Sequence, residues 1–231
     1  MQLTDLTDAL SLTRQMIDIP SVSGQEGPLA DAVEAAARSA GFGTVPALEI
    51  LRDGDAVCAR TRLGLPQRVV LAGHLDTVPI ADNVPGRTEI RDGVDVVWGR
   101  GSVDMLGGCA AALALACEVG PLIAAGEHAA LTADVTWIFY DHEEVASHLN
   151  GLGRIERNHP QWLAGDLALL GEPTAAHVEG GCNGTLRVIA RFPGRAAHSA
   201  RAWMGVNAIH AMAPVIERIA DYGNPVELVD G

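Results

Sequence analysis

The sequence predicts an α/β layer fold: a largely parallel sheet with helices on both faces. Three observations predict it. Short apolar runs alternate with longer stretches of helical periodicity through the first 180 or so residues, as strands and crossover helices do in a parallel sheet. Four of the ordered segments run directly into glycine, histidine or carboxylate residues, which is how strand ends read when they border a ligand site. With 48% hydrophobic and 19% charged residues in 231, the chain has globular composition and enough length for one large domain and part of another.

Leu6, Leu10, Thr13 and Ile17 recur at helical spacing and predict an opening helix that stops before Pro20. Ser23-Gly24-Gln25-Glu26 has the spacing of a capping box, so a second helix is expected from about Pro28 to Ala40, ended by Gly41. Strands are expected at Ala56–Arg60 and Arg68–Ala72. The region from Pro79 to Gly99 is turn-rich, with reversals at Pro85-Gly86 and Asp92-Gly93. An alanine-rich helix should cover about Leu106 to Val119, followed by strands at Val135–Tyr140 and Leu167–Leu170. After about Gly181 the pattern changes. A strand with alternating faces at Thr185–Phe192 is expected, then an amphipathic helix carrying Val206, Ile209, Met212, Ile216 and Ile219. The expected division is therefore 1–180 and 181–231.

The formal charge of −13 comes from 29 acidic residues against 16 cations, all of them arginine. That balance disfavours nucleic acid and anionic membrane surfaces, which both need clustered cations. The N-terminus lacks the basic and apolar regions of a signal peptide, and the run around Cys109 to Val119 is short for a membrane span. Cys58, Cys109, Cys117 and Cys182 have no C-x-x-C spacing and are expected to be reduced, buried thiols of a cytoplasmic protein.

The chemistry-bearing residues cluster at the segment ends. His74 and Asp76 lie two apart, on the same side of an extended segment, and a ligating histidine wants an acceptor on its other ring nitrogen. Asp104 sits in a glycine-lined turn that opens a helix, Glu143 and Glu144 follow a buried strand, and Glu172 follows another. Taken singly, each has a plain reading: a structural hydrogen bond, a helix cap, a solvated first turn, a turn before Pro173. Together they converge on cation binding. Histidine with carboxylates and no thiolate suits zinc, manganese or cobalt in a hydrolytic site. Adjacent glutamates can divide the work, one on the metal and one as a base.

The runs G-H-L-D-T-V-P, G-R-G-S-V-D-M-x-G-G, the E-E pair and G-E-P-T, in that order, resemble the di-zinc aminoacylase and carboxypeptidase family of metallopeptidases. Met16–Ser21, Tyr140–Ile155 and Ala196–Arg201 carry a narrower resemblance to its desuccinylase branch in high-GC Gram-positive bacteria. The resemblance implies a zinc-exopeptidase-like sheet, with residues 181–231 beginning an α+β lid and dimerisation domain. It implies two divalent metals, zinc or else cobalt, with His74 and Glu172 on one, Glu144 on the other and Asp104 bridging. By the same resemblance Asp76 orients His74, Glu143 is the general acid/base, His198 stabilises an oxyanion in a neighbouring subunit's site, and Thr185 lies near the substrate.

The implied reaction is hydrolysis of N-succinyl-LL-2,6-diaminopimelate to succinate and LL-2,6-diaminopimelate by a cytoplasmic homodimer. A sister activity, acetylornithine deacetylation or dipeptide hydrolysis, is the alternative within enzymes. Two departures stand out. Leu106 replaces the lysine usual after Asp-Met, and the family's further zinc-binding histidine has no counterpart before Gly231. The chain is therefore expected to be incomplete at its C-terminus, and a catalytically incompetent fragment is the alternative of another class.

Overall fold

The computed structural model describes residues 2–181 and 186–223. They fall into two compact units, Met1–Glu179 and Gly180–Gly231.

In the first unit, helix α1 (Ala9–Ile17) is capped by Asp8, whose side chain accepts from the Leu10 and Ser11 N–H groups. Helix α2 (Gly27–Ser39) follows, with Pro28 in its first turn, where a missing N–H costs nothing. Strands β1 (Leu48–Asp53) and β2 (Ala56–Thr61) form an antiparallel hairpin. Strand β3 (Arg68–His74) leads to a second hairpin, β4 (Arg87–Arg91) and β5 (Val94–Trp98). Its two-residue loop is Asp92-Gly93, with φ of 52° and 80°. Both are left-handed, as the twist of such a hairpin demands. Helix α3 (Leu106–Ala124), strand β6 (Asp134–Tyr140), helix α4 (Gly151–Asn158) and strand β7 (Leu167–Leu170) complete this unit.

The main sheet has the order β1-β2-β6-β3-β7. Its β6, β3 and β7 are parallel, while β1 and β2 add an antiparallel edge. The sheet is thus more mixed than the sequence suggests. β1 is a strand the sequence reading lacks, because L-E-I-L-R-D at an edge is half-buried and carries charges that pair across the hairpin, Glu49 with Arg60.

Helices cover both faces. On β6 the alternation sends Trp137 and Phe139 to one face, against α1, α2 and α3, and Ile138 and Tyr140 to the other, beside Ile155 of α4 and Trp162. Trp137 is fully buried and meets the edge of Phe42, with ring centroids 5.6 Å apart. Helix α3 extends beyond the expected boundary to 19 residues, a length and composition that a membrane span would also have. Here ten of those residues are buried, and the helix lies among α1, α2 and β3 as a core element.

In the second unit, helix α5 (Ala208–Ala220) is capped by Asn207. The strand expected at Thr185–Phe192 is not formed across residues 186–192. Residues 186–191 are exposed and Phe192 is half-buried; none has a ladder partner among the described residues, and an unpaired strand leaves its own N–H and C=O groups unsatisfied. Arg195 pairs with Val206 in an isolated antiparallel bridge. Thr185 and Cys182 lie outside the described residues, while Cys58, Cys109 and Cys117 are free and buried.

Candidate metal centre

The carboxyl ends of β3, β6 and β7 lie side by side, and each hands over to a residue of the site: His74, then Glu143 and Glu144, then Glu172. Asp104 arrives from the turn that opens α3. Ligand atoms of His74, Asp104 and Glu172 all lie within 4.8 Å of one another, as do those of His74, Glu143 and Glu144. The two groups share His74.

Backbone and core fix His74 closely. Its N–H meets the Met105 sulfur at 3.2 Å, and its carbonyl accepts from the Cys109 thiol at 3.2 Å. Gly73 is required beside it, since a Cβ there would sit 2.7 Å from Cys109 Sγ. The ring Nδ1 is 2.8 Å from the Asp76 main-chain carbonyl, which only accepts, so Nδ1 carries the hydrogen. That leaves Nε2, 3.1 Å from Asp104 Oδ1, as the nitrogen facing the carboxylates.

Asp76 is fully buried and does more than the expected orienting of His74. Its carbonyl, at 2.8 Å from Nδ1, and its carboxylate, at 3.5 Å, both face that edge of the ring, and the carboxylate has further partners. Oδ1 accepts the Glu143 N–H at 2.9 Å. Oδ2 accepts the Glu144 N–H at 3.0 Å and the Ser23 hydroxyl at 2.8 Å. Burial alone would raise its pKa, but His74, the two N–H groups and Ser23 outweigh burial and lower it to about 2. Burial likewise opposes the charge on His74, yet Asp76 and Glu172 carry its pKa up to about 9.

The other carboxyls show the opposite strain. Glu144 and Glu172 are both raised, first by burial and then by neighbouring acids, Asp104 and Glu143 among them. One imidazole, even when protonated, does not balance the four carboxylates of Asp104, Glu143, Glu144 and Glu172 around it. A divalent cation fits that deficit, and the oxygen and nitrogen donor set fits it chemically. His74, Asp104, Glu143, Glu144, Glu172 and Asp76 are therefore brought together as one site. His198, in the second unit, is exposed and caps a short 3-10 segment by accepting the Ala200 N–H.

Leu106 is buried in the core, packed with the residues around α3. His142 has φ of 60° and places Nδ1 2.7 Å from Asp141. The sequence reading missed Ser23 and Glu26 as parts of this neighbourhood. Their capping-box spacing absorbed them, yet Glu26 makes no side-chain cap bond.

Residues 70–218 match the model of peptidase family M20/M25/M40, and the chain belongs to that family. It is 47% identical to succinyl-diaminopimelate desuccinylase of Corynebacterium glutamicum over 226 residues, 98% of this chain and 58% of that protein. It is 48% identical to a putative succinyl-diaminopimelate desuccinylase of Mycobacterium tuberculosis over 224 residues, 97% of this chain and again 58% of the relative. The chain thus spans less than two thirds of these relatives' length.

A tripeptidase from Staphylococcus aureus superposes with a TM-score of 0.60 at 16% identity, over 93% of this chain and 56% of that one. An M20 family metallo-carboxypeptidase from Sulfolobus solfataricus gives 0.54 at 18% identity, over 71% and 37%. These two establish likeness of fold.

Proposed function

We propose that this chain provides the metal-binding part of an amide hydrolase that converts N-succinyl-LL-2,6-diaminopimelate and water to succinate and LL-2,6-diaminopimelate. The observation that carries the reading is the convergence of His74, Asp104, Glu144 and Glu172 at the ends of three parallel strands and one helix. The similarity to desuccinylases supports the choice of substrate.

His74 Nε2, Asp104 and Glu172 would hold one divalent metal, and Glu144, with Asp104 bridging, the other. The imidazole and carboxylate donors suit zinc, manganese or cobalt, and the family resemblance favours zinc, with cobalt as the alternative. Such metals supply polarisation of the scissile carbonyl and acidification of water. Glu143 is exposed beside the cluster, its main chain anchored on Asp76, so its carboxylate is left to move protons. It takes a proton from the attacking water as oxygen joins the carbonyl carbon, then delivers it to the amine nitrogen as the C–N bond breaks. His198 as an oxyanion donor across a homodimer, Thr185 near the substrate, and a cytoplasmic location belong to the same proposal. The exposed apolar residues Ile209, Ile216 and Ile219 on α5 suit a subunit contact.

A second reading is favoured by one observation: the two donor groups share His74, the single nitrogen among them. By that reading the 231-residue chain alone holds one metal, at His74, Asp104 and Glu172, and hydrolyses weakly.

The test is an assay with zinc or cobalt supplied, comparing N-succinyl-LL-2,6-diaminopimelate, N-acetylornithine and a dipeptide. Preference for the succinyl substrate is expected. Equal or faster turnover of acetylornithine would replace the desuccinylase reading with a sister activity. One bound metal with little or no turnover of any substrate would leave the second reading standing.

A further inference from the structure

The loop between α1 and α2 sends two side chains into the back of the site, from opposite ends of one short turn. It is laid along the segment after β3 by main-chain bonds: Thr77 N–H to the Ser21 carbonyl at 2.9 Å, and Ser23 N–H to the Thr77 carbonyl at 3.1 Å. Gly24, with φ of 88°, then reverses the chain. From this platform the Ser23 hydroxyl donates to Asp76 Oδ2 at 2.8 Å. Three residues on, Glu26 is fully buried and directs Oε1 to the His142 N–H at 3.3 Å and to within 3.4 Å of its Nδ1.

Neither side chain does what its sequence pattern suggests. A capping box would place the serine oxygen on a helix N–H and the glutamate on the cap residue's N–H. Here Glu26 is the cap position but makes no side-chain cap bond, and its second oxygen is buried without a partner. Burying a carboxylate with one orphaned oxygen works against folding, and an apolar side chain would fill that space at lower cost. What the carboxylate does hold is the main chain of His142, a residue in the left-handed region immediately before Glu143 and Glu144. Ser23 holds Asp76, which in turn holds the N–H groups of those same two glutamates. The turn carrying both glutamates is thus gripped from two sides by one loop that supplies no donor to the carboxylate cluster.

We propose that Ser23 and Glu26 are positioning residues for the metal centre: the α1–α2 loop is a brace that sets the Glu143–Glu144 turn against His74. This rests on the metal-binding reading above. Outer residues that orient ligands typically change metal affinity about 10–100-fold when removed. The brace requires the oxygen of Glu26 as an acceptor, not its charge.

The experiment titrates cobalt(II) into the full chain and into Ser23→Ala, Glu26→Ala and Glu26→Gln, following the visible d–d absorption and the dissociation constant. Melting temperatures are recorded with and without metal. Ser23→Ala and Glu26→Ala should weaken cobalt binding by about 10-fold or more and alter the band, with Glu26→Gln close to wild type. Wild-type affinity and spectrum in both alanine variants would overturn the brace, even if their metal-free melting temperatures fell. Glu26→Gln as weak as Glu26→Ala would overturn the acceptor role. Should Glu26→Ala not fold, Ser23→Ala, which deletes a single oxygen, decides the matter. Failure of the wild type to bind cobalt would instead remove the metal reading itself.

Discussion

The Asp76 carboxylate at the end of β3 accepts the main-chain N–H of Glu144 at 3.0 Å, tying the turn after β6 to the strand beside it. The same carboxylate holds Glu143 and is held by Ser23, while the Asp76 carbonyl orients His74. One buried residue therefore ties together His74, Glu143 and Glu144, which come from the ends of two strands.

Asp76→Asn tests this directly. The amide keeps one acceptor but turns an N–H group toward main-chain donors that have no other partner. Stability should fall by about 2–4 kcal/mol in urea unfolding. Zinc affinity should drop about 10–100-fold by calorimetric titration. A variant with unchanged affinity would mean that the turn is set without Asp76.

Asp134, at the start of β6, predicts the acid limb of stability. It is nearly buried and accepts from the N–H groups of Leu63, Gly64 and Leu65 and from the Thr61 hydroxyl. Burial by itself raises its pKa, but Leu63, Thr61, Leu65 and Arg68 outweigh burial and hold it below the usual value. A carboxyl depressed in the folded state contributes stability above its unfolded pKa of about 3.9, and that contribution fades as pH falls through the folded value. Asp134→Asn should be less stable than wild type at pH 7, and the gap should narrow below about pH 4. A gap constant from pH 7 to pH 3, measured by urea unfolding, would refute the assignment.

Trp137 anchors the helix-packed face of the sheet. Trp137→Ala leaves a large cavity beside Phe42 and should cost about 3–5 kcal/mol in the same assay. A cost under about 1 kcal/mol would place the stabilising core elsewhere.

That His74, Asp104, Glu143, Glu144 and Glu172 would meet was legible only from their convergence at successive segment ends, since each alone reads as well as a cap, a turn or a structural hydrogen bond. Asp76 was legible as a companion of His74, but its hold on the Glu143 and Glu144 main chain depends on β3 and β6 being adjacent, a long-range pairing that no local pattern encodes. Ser23 and Glu26 were hidden by ambiguity, since S-x-x-E is equally the spacing of a helix cap. β1 escaped because an edge strand with cross-strand ion pairs lacks a clean apolar period. The β4–β5 hairpin was visible only as its Asp92-Gly93 reversal. Alternation at residues 186–192 suggested a strand, but alternation supplies a face and not a partner.

The central claim is that His74, Asp104 and Glu172 hold a divalent metal. Equilibrium dialysis of the chain and of His74→Ala against zinc, with bound metal counted by mass spectrometry, tests it most directly. The account predicts a tightly held zinc ion in the chain and none in His74→Ala. Zinc absent from the chain, or retained equally by His74→Ala, would contradict it.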